Sequence, residues 1–129
     1  NSYTDRDSEC VFCNVDRALV GENELAIAFR DLYPVTPLHT LIIPKRHVSE
    51  YFDLYQPELN AINQLIQEVR NAILCADNTV KGFNIGTNAG EASGQTVFHC
   101  HVHLIPRRQG DTASPRGGVR GVIPNRQAY

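Results

Sequence analysis

The chain has 129 residues, with 12 Lys or Arg against 14 Asp or Glu, a formal charge of -2 and 42% hydrophobic residues. This length suits one domain around a single core, and the balanced charge excludes the clustered basic face that extended nucleic-acid binding requires. No apolar run approaches the roughly 20 residues that span a bilayer, and the polar start from Asn1 to Asp7 is unlike a signal peptide, so no membrane association is expected and a cytoplasmic address is the default.

Cys10-Val11-Phe12-Cys13 is the first motif, and two thiolates at this spacing can reach one ion. In a reducing compartment such a pair is more often a metal or redox site than a structural disulfide. Ala18 to Val20 and Glu24 to Phe29 read as two strands joined through Gly21-Glu22-Asn23. A third strand, His39 to Ile43, is apolar on both faces, as a central strand covered on each side would be, and Pro44 ends it. Pro57 opens a long helix with Leu59, Ile62, Leu65, Ile66, Val69, Ile73 and Leu74 on one stripe. Lys81 to Thr87 predicts a strand, Asn88 to Gly94 a turn-rich loop, and Val97 to Ile105 a last strand. The layout is α+β, an antiparallel sheet with one long helix packed on a face. Cys75, in the helical pattern, and Cys100, on the last strand, are expected to be small buried hydrophobes.

From Arg107 to Tyr129 no periodicity appears, and composition predicts either a solvated tail or an extended arm laid over the site or over a partner subunit. In the second case Val119, Val122, Ile123 and Tyr129 are the anchors, and the arginines suit phosphate oxygens. The expected organisation is a single domain, 1–129, with 107–129 as a C-terminal arm.

Alternation on an extended strand points His99, His101 and His103 one way and Phe98, Cys100, Val102 and Leu104 the other. Three imidazoles in a row, roughly 7 Å apart at the rise of a strand, suit either a metal cage or a nucleophilic site. A structural zinc takes four ligands, of which Cys10 and Cys13 supply two. One strand histidine is a fair third, and His39 or His47 the fourth.

The segment Gly94-Gln95-Thr96-Val97-Phe98-His99-Cys100-His101-Val102-His103-Leu104-Ile105-Pro106 resembles the signature of the histidine triad superfamily of nucleotide hydrolases and transferases. Pro37 to His47 is similar to that family's strand before the helix, and Cys10-Val11-Phe12-Cys13 to its zinc-carrying members. Pro115 to Pro124 resembles the tail of bacterial zinc-bearing members. The resemblance implies zinc held by Cys10, Cys13, His47 and His99. It makes His101 the nucleophile, with His103, His39 and Gln95 around the phosphate. Asn88 and Thr96 fall at phosphate or leaving-group contacts, and Phe29 and Asp31 where members hold the base and ribose. Members are commonly two-fold dimers through the long helix and a strand edge, so a homodimer is expected.

The chemistry expected from these residues is cleavage of a nucleoside monophosphate from a dinucleoside polyphosphate or a nucleoside phosphoramidate through a nucleotidyl-histidine. Nucleotidyl transfer, or nucleotide sensing with incidental turnover, are the alternatives. A backbone carbonyl on the second ring nitrogen of His101 should fix its tautomer. His103, the amide of Gln95 and backbone N–H groups of the glycine-rich loop should stabilise the phosphoryl oxygens. Zinc with four protein ligands is then structural, and no catalytic metal is required.

Overall fold

Short runs of β-branched and aliphatic residues between turn signals form four strands, a two-residue strand joins them at one edge, and the one long apolar stripe forms one helix. The structure, a computed structural model, describes residues 2–129. The strands are β1 (Gly21–Glu22), β2 (Ala26–Arg30), β3 (Thr40–Pro44), β4 (Val80–Thr87) and β5 (Val102–Arg108), with helix α1 (Gln56–Ala76) between β3 and β4. All pairs are antiparallel, in the order β1-β2-β3-β5-β4. The chain thus leaves β3 through α1, builds the edge strand β4, and returns to insert β5 between them.

The helix presents Ile62, Leu65, Val69 and Ile73 to the sheet, where they meet Ala26, Ala28, Ile42, Val80, Val102 and Leu104. Intervals of three and four residues hold these side chains on one face, and each is worth about 1.5–3 kcal/mol when fully buried. A buried ion pair starts the helix: Glu58 accepts from Arg46 Nε (2.9 Å) and Nη2 (2.8 Å), and from the Tyr55 backbone N–H (2.8 Å). Arg46 is the last residue before His47, so the pair ties the chain after β3 to the helix.

Period two puts the alternate side chains on the other face of the sheet, where Phe29, Leu41 and Ile43 pack with Phe12, Val15 and Ile27. The ladder carries this face across to β5 and β4, because Phe29 is opposite Leu41, Leu41 opposite His103, and His103 opposite Gly86. Nothing lies within 4 Å of where a Gly86 side chain would begin, so that glycine leaves open space beside the His103 imidazole.

Four expectations need correction. The first hairpin is shifted: Gly21 and Glu22, expected in the turn, form β1, and the turn falls on Asn23, whose side chain accepts from the N–H groups of Leu25 and Ala26. The histidine strand starts at Val102, not Val97. β3 pairs with β5 only as far as Val102; before it the chain bends inward, with Cys100 N donating to Val48 O (2.7 Å) and His99 Nε2 to Pro44 O (2.8 Å). His99 and Cys100 are therefore both buried, while Phe98 is 45% exposed, and strict alternation fails there. Cys75 is exposed, since two residues beyond Ile73 are about 200° around the helix. Finally Arg107 and Arg108, expected in the arm, belong to β5.

The remainder of the arm closes on itself. A 3-10 turn, Gly118–Val122, is held by Gln127, whose side chain donates to Ser114 O and Arg116 O. Gly117, at φ 87°, stands where a side chain would strike the Gln127 carbonyl, so both its conformation and its size demand glycine.

Candidate active site and metal centre

Cys10, Cys13, His47 and His99 come from three separate segments, and their ligand atoms lie within 4.8 Å of one another. Cys13 Sγ is 3.3 Å from His47 Nδ1, and His99 Nδ1 is 3.5 Å from both sulfurs. A tetrahedral zinc with Zn–S of about 2.3 Å and Zn–N of about 2.0 Å requires S···N separations of about 3.5 Å, so the donor set and its spacing fit that ion. His99 Nε2–H donates to Pro44 O, which turns the lone pair of Nδ1 toward the sulfurs. Burial drives its pKa down to about 4, with the Pro44 hydrogen bond opposing, so the ring is in the neutral form a metal needs. Burial likewise raises the Cys13 thiol; a bound cation would reverse that.

His101 stands beside this centre. Its Nδ1 is 2.8 Å from the His99 carbonyl. A carbonyl only accepts, so Nδ1 carries the proton and Nε2 the exposed lone pair. Thr87 Oγ1 donates to the His101 carbonyl (2.8 Å) and fixes the backbone there.

His103 and His39 form a second chain of hydrogen bonds. The Val35 N–H donates to His39 Nδ1 (3.1 Å), so His39 carries its proton on Nε2 and donates to His103 Nδ1 (2.9 Å). His103 is then left with an Nε2–H donor facing outward. Burial holds His39 below its ordinary pKa, with Asp31 opposing, and takes His103 to about 4, so both stay neutral. Asp31 Oδ2 is 3.4 Å from His39 Nε2. Asp31, His39 and His103 also lie close enough to hold an ion, but His39 Nε2 and His103 Nδ1 are engaged with each other and His39 Nδ1 with the Val35 N–H. Neighbouring rings of the row are 5.5 Å apart for His101 and His103, closer than an ideal strand places them.

The other expected residues divide. Asn88 lines, with His103, a cavity of about 720 Å³ that runs between β4, β5 and the arm. Thr96 is exposed at the end of the loop, away from that cavity. Gln95 is corrected: it is 2% exposed, its amide donates to Ser49 O (2.7 Å) and Val97 O (3.1 Å), and its oxygen accepts from Gly90 N. With every one of these groups spent on backbone it clamps the loop and has no donor left for phosphate. The loop N–H groups of Gly90, Ser93, Gly94 and Gln95 are likewise used inside the loop. Phe29 is completely buried, so its ring backs the site face without reaching solvent.

Four arginines expected in the arm have partners within the chain. Arg116 and Arg120 lie over the Tyr129 ring, Arg107 pairs with Asp111 and Asn84, and Arg108 with Asp77. The arm lines the cavity with Gly118, Val119, Gly121 and Val122 and with the polar Asp111, Thr112 and Gln127. Three contributors were missed from sequence: Thr87, the Val35 N–H, and Phe12, whose ring centroid is 5.2 Å from that of His101. Phe12 had a signal, being placed between the two motif cysteines.

The HIT domain family pattern matches residues 13–110. An uncharacterized HIT-like protein of Mycoplasma genitalium is 39% identical over 107 residues, covering 78% of this chain and 74% of its own. The adenylylsulfatase HINT3 of Arabidopsis thaliana is 32% identical over 109 residues, 81% of this chain and 55% of that protein. The crystal structure of a zinc-bound histidine triad family protein from Mycobacterium smegmatis superposes with a TM-score of 0.74 at 35% identity, covering 82% of this chain and 80% of the other. With the histidine row, the Cys/His cluster and the antiparallel sheet in place, the chain belongs to the HIT domain family of histidine triad proteins.

Proposed function

We propose that the chain is a nucleotide hydrolase that cleaves a nucleoside monophosphate from its leaving group through a covalent intermediate on His101. The observation that carries this reading is the 2.8 Å contact of His101 Nδ1 with the His99 carbonyl, which leaves Nε2 as the only free nucleophilic nitrogen of that ring. In the proposed first step, Nε2 forms a bond to the α-phosphorus while the bond to the leaving group breaks, and the electron pair departs with that group, the nitrogen of a phosphoramidate taking a proton from water so that it leaves as a neutral amine. The imidazole becomes positive, and its Nδ1–H strengthens its bond to the carbonyl. His103 Nε2–H lies one ring away and donates to a phosphoryl oxygen. Water then attacks phosphorus and gives up a proton to solvent, and the Nε2–P electron pair returns to the ring. His101 and His103 are catalytic here, while His39 and Asp31 hold His103 in its donor tautomer. Asn88 contacts the phosphate or leaving group, and Thr96 stands at the margin.

Zinc on Cys10, Cys13, His47 and His99 is structural in this proposal: four protein ligands leave no open position, and the ion pins the bend that precedes the nucleophile. The leaving-group side is the cavity beyond His103. Its walls combine Ile105, Val119 and Val122 with the polar Asn84, Thr112 and Gln127, and Arg107 is neutralised by Asp111, which favours the uncharged leaving group of a phosphoramidate over a second nucleotide's polyphosphate. Chain pairing through α1 and the edge of β4, where Ile85 is 51% exposed, gives the proposed homodimer. No helix among the described residues is long and apolar enough to cross a membrane, and the proposed address is the cytoplasm, where a reducing medium keeps the Cys10 and Cys13 thiolates available to zinc.

The test is rapid-mixing kinetics on adenosine phosphoramidate and diadenosine tetraphosphate, with acid quench and mass analysis of the protein. A burst with AMP attached to His101, absent in His101→Ala, is expected. Steady turnover with no adduct, or activity above about a tenth of wild type in His101→Ala, would sink the covalent reading, because one decade is only about 1.4 kcal/mol of barrier. Adduct transfer to an acceptor in preference to water would make the chain a transferase, and nucleotide binding with no turnover would make it a sensor.

A further inference from the structure

We infer that Phe12 couples the metal centre to nucleotide binding, so that zinc and nucleotide each raise the chain's affinity for the other. This rests on the proposal that the face around Phe29 and His101 receives a nucleotide. Phe12 sits between two members of the ligand cluster, Cys10 and Cys13. Its ring lies 5.7 Å from Phe29, 5.2 Å from His101 and 6.2 Å from His99 by centroids, nearly perpendicular to the last. One side chain thus touches the nucleophile, a metal ligand, and the buried aromatic that backs the site.

The part of the segment that carries it, before Arg17, has few other anchors. Residues 5–20 contain no strand or helix, and residues 4–9 are exposed. The turn itself is closed by Cys13 N to Cys10 O at 3.2 Å and by Asn14 Nδ2 to Cys10 O at 2.8 Å, both bonds internal to the segment. From Asp5 to Val15, its ties to the other described residues run through the thiols, the His47 N–H to Asp5 O bond, the Asp7 carboxylate 3.9 Å from His47 Nε2, and the side chains of Phe12 and Val15; firmer anchoring follows, where Arg17 reaches Arg30 O and the Phe29 ring and Val20 N–H donates to Ala28 O. An ion that draws Cys10, Cys13, His47 and His99 together gives the turn a single position, and with it the Phe12 ring. Without the ion the four donors lose their common partner, the ring is free to leave Phe29 and His101, and the surface a nucleotide must meet is no longer formed in advance. Binding then includes the ordering of that turn, which lowers affinity. Because the coupling is an equilibrium one, it is reciprocal: the factor by which zinc strengthens nucleotide binding is the factor by which nucleotide strengthens zinc binding.

The experiment measures AMP affinity by calorimetry on zinc-loaded and metal-stripped full-length protein, and zinc affinity by chelator competition with and without saturating AMP. A change of about fivefold or more, equal in the two directions, is expected. In Phe12→Ala both factors should fall toward one, while one zinc per chain is retained. A coupling factor unchanged in Phe12→Ala overturns the inference, as does wild-type AMP affinity that is the same with and without metal. If stripping unfolds the chain, the cobalt(II)-substituted protein keeps the test open, since metal is present throughout: AMP should shift the visible ligand-field bands of the wild type and leave those of Phe12→Ala unmoved. Bands that ignore AMP in the wild type, or move equally in both proteins, refute the coupling. AMP that binds but is not coupled removes this inference alone, whereas AMP that binds neither loaded nor stripped protein removes the nucleotide reading and this inference together.

Discussion

Replacing His39 with Leu tests the hydrogen-bond chain from Val35 N–H through His39 to His103. The substitution removes the Nε2–H that donates to His103 Nδ1. His103 can then place its proton on Nδ1 and turn a lone pair toward the phosphoryl oxygens, where the developing negative charge needs a donor. Loss of one such donor costs roughly a factor of 10²–10³ in kcat, whereas loss of a neutral hydrogen bond alone is worth about 0.5–1.5 kcal/mol, or roughly two- to twelvefold. His39→Leu should therefore approach His103→Leu in severity although His39 itself is only 2% exposed. The double variant should be little worse than either single one, because both remove the same donor. His39→Gln, whose amide can donate in the same direction, should recover most of the rate. Single-turnover rates on a nucleoside phosphoramidate compare the four variants with wild type, with thermal melts to confirm folding. Losses that multiply in the double variant, or a His39→Gln rate no better than His39→Leu, would show that the two imidazoles act independently and that the tautomer argument is wrong.

Three further outcomes are expected. His103 is held near a pKa of about 4 in the folded chain against 6.5 for an unperturbed imidazole; the unfolded chain binds the extra proton between these values, so this contribution to stability is full above about pH 6.5 and is lost as pH falls toward 4. Urea midpoints at pH 7.5 and 5 should accordingly differ more for wild type than for His103→Asn, and equal differences would contradict it. Purified protein should contain about one zinc per chain with sulfur and nitrogen ligands by X-ray absorption, and Cys13→Ser should lower the melting temperature more than the chemical rate of the folded fraction; an oxygen-only shell would end the assignment. Truncation after Gln109 removes Val119 and Val122 from the cavity wall, equivalent to losing about one or two buried methylenes, so kcat/KM for a phosphoramidate with a bulky apolar leaving group should fall roughly four- to fifteenfold. A larger loss on diadenosine tetraphosphate would instead put the arm's arginines in contact with phosphate.

The fold was legible wherever one periodicity dominated. α1 carries its apolar stripe at intervals of three and four and docks with Ile62, Leu65, Val69 and Ile73, while β3 is buried at every position, as its unbroken apolar run requires. The first hairpin was misplaced because Gly21-Glu22-Asn23 carries turn composition, yet Asn23 alone supplies the turn's hydrogen bonds to Leu25 and Ala26. Side-chain capture of backbone donors decides such a turn, and composition does not specify which residue makes it.

At the site, the residue types were legible and their hydrogen-bond commitments were not. Gln95 has the right chemistry for a phosphate donor, but Gly90, Ser49 and Val97 reach it first from backbone that is far from it in sequence or bent by the loop. The histidine row shows the same limit. Read as a strand, His99, His101 and His103 are three equivalent side chains on one face. The ladder with β3 ends at Val102, however, and the two residues that precede His101 are drawn into the interior by Pro44 and Val48. That bend buries His99 for a metal and aims its carbonyl at His101 Nδ1, while His103 stays on the regular strand and takes its proton arrangement from His39. Three identical residues at regular spacing thus acquire three separate environments because the strand stops between the first and the last of them. A straight strand would have placed the His99 imidazole on the open face, left the Cys10 and Cys13 sulfurs without their buried nitrogen partner, and deprived His101 of the acceptor that fixes its tautomer.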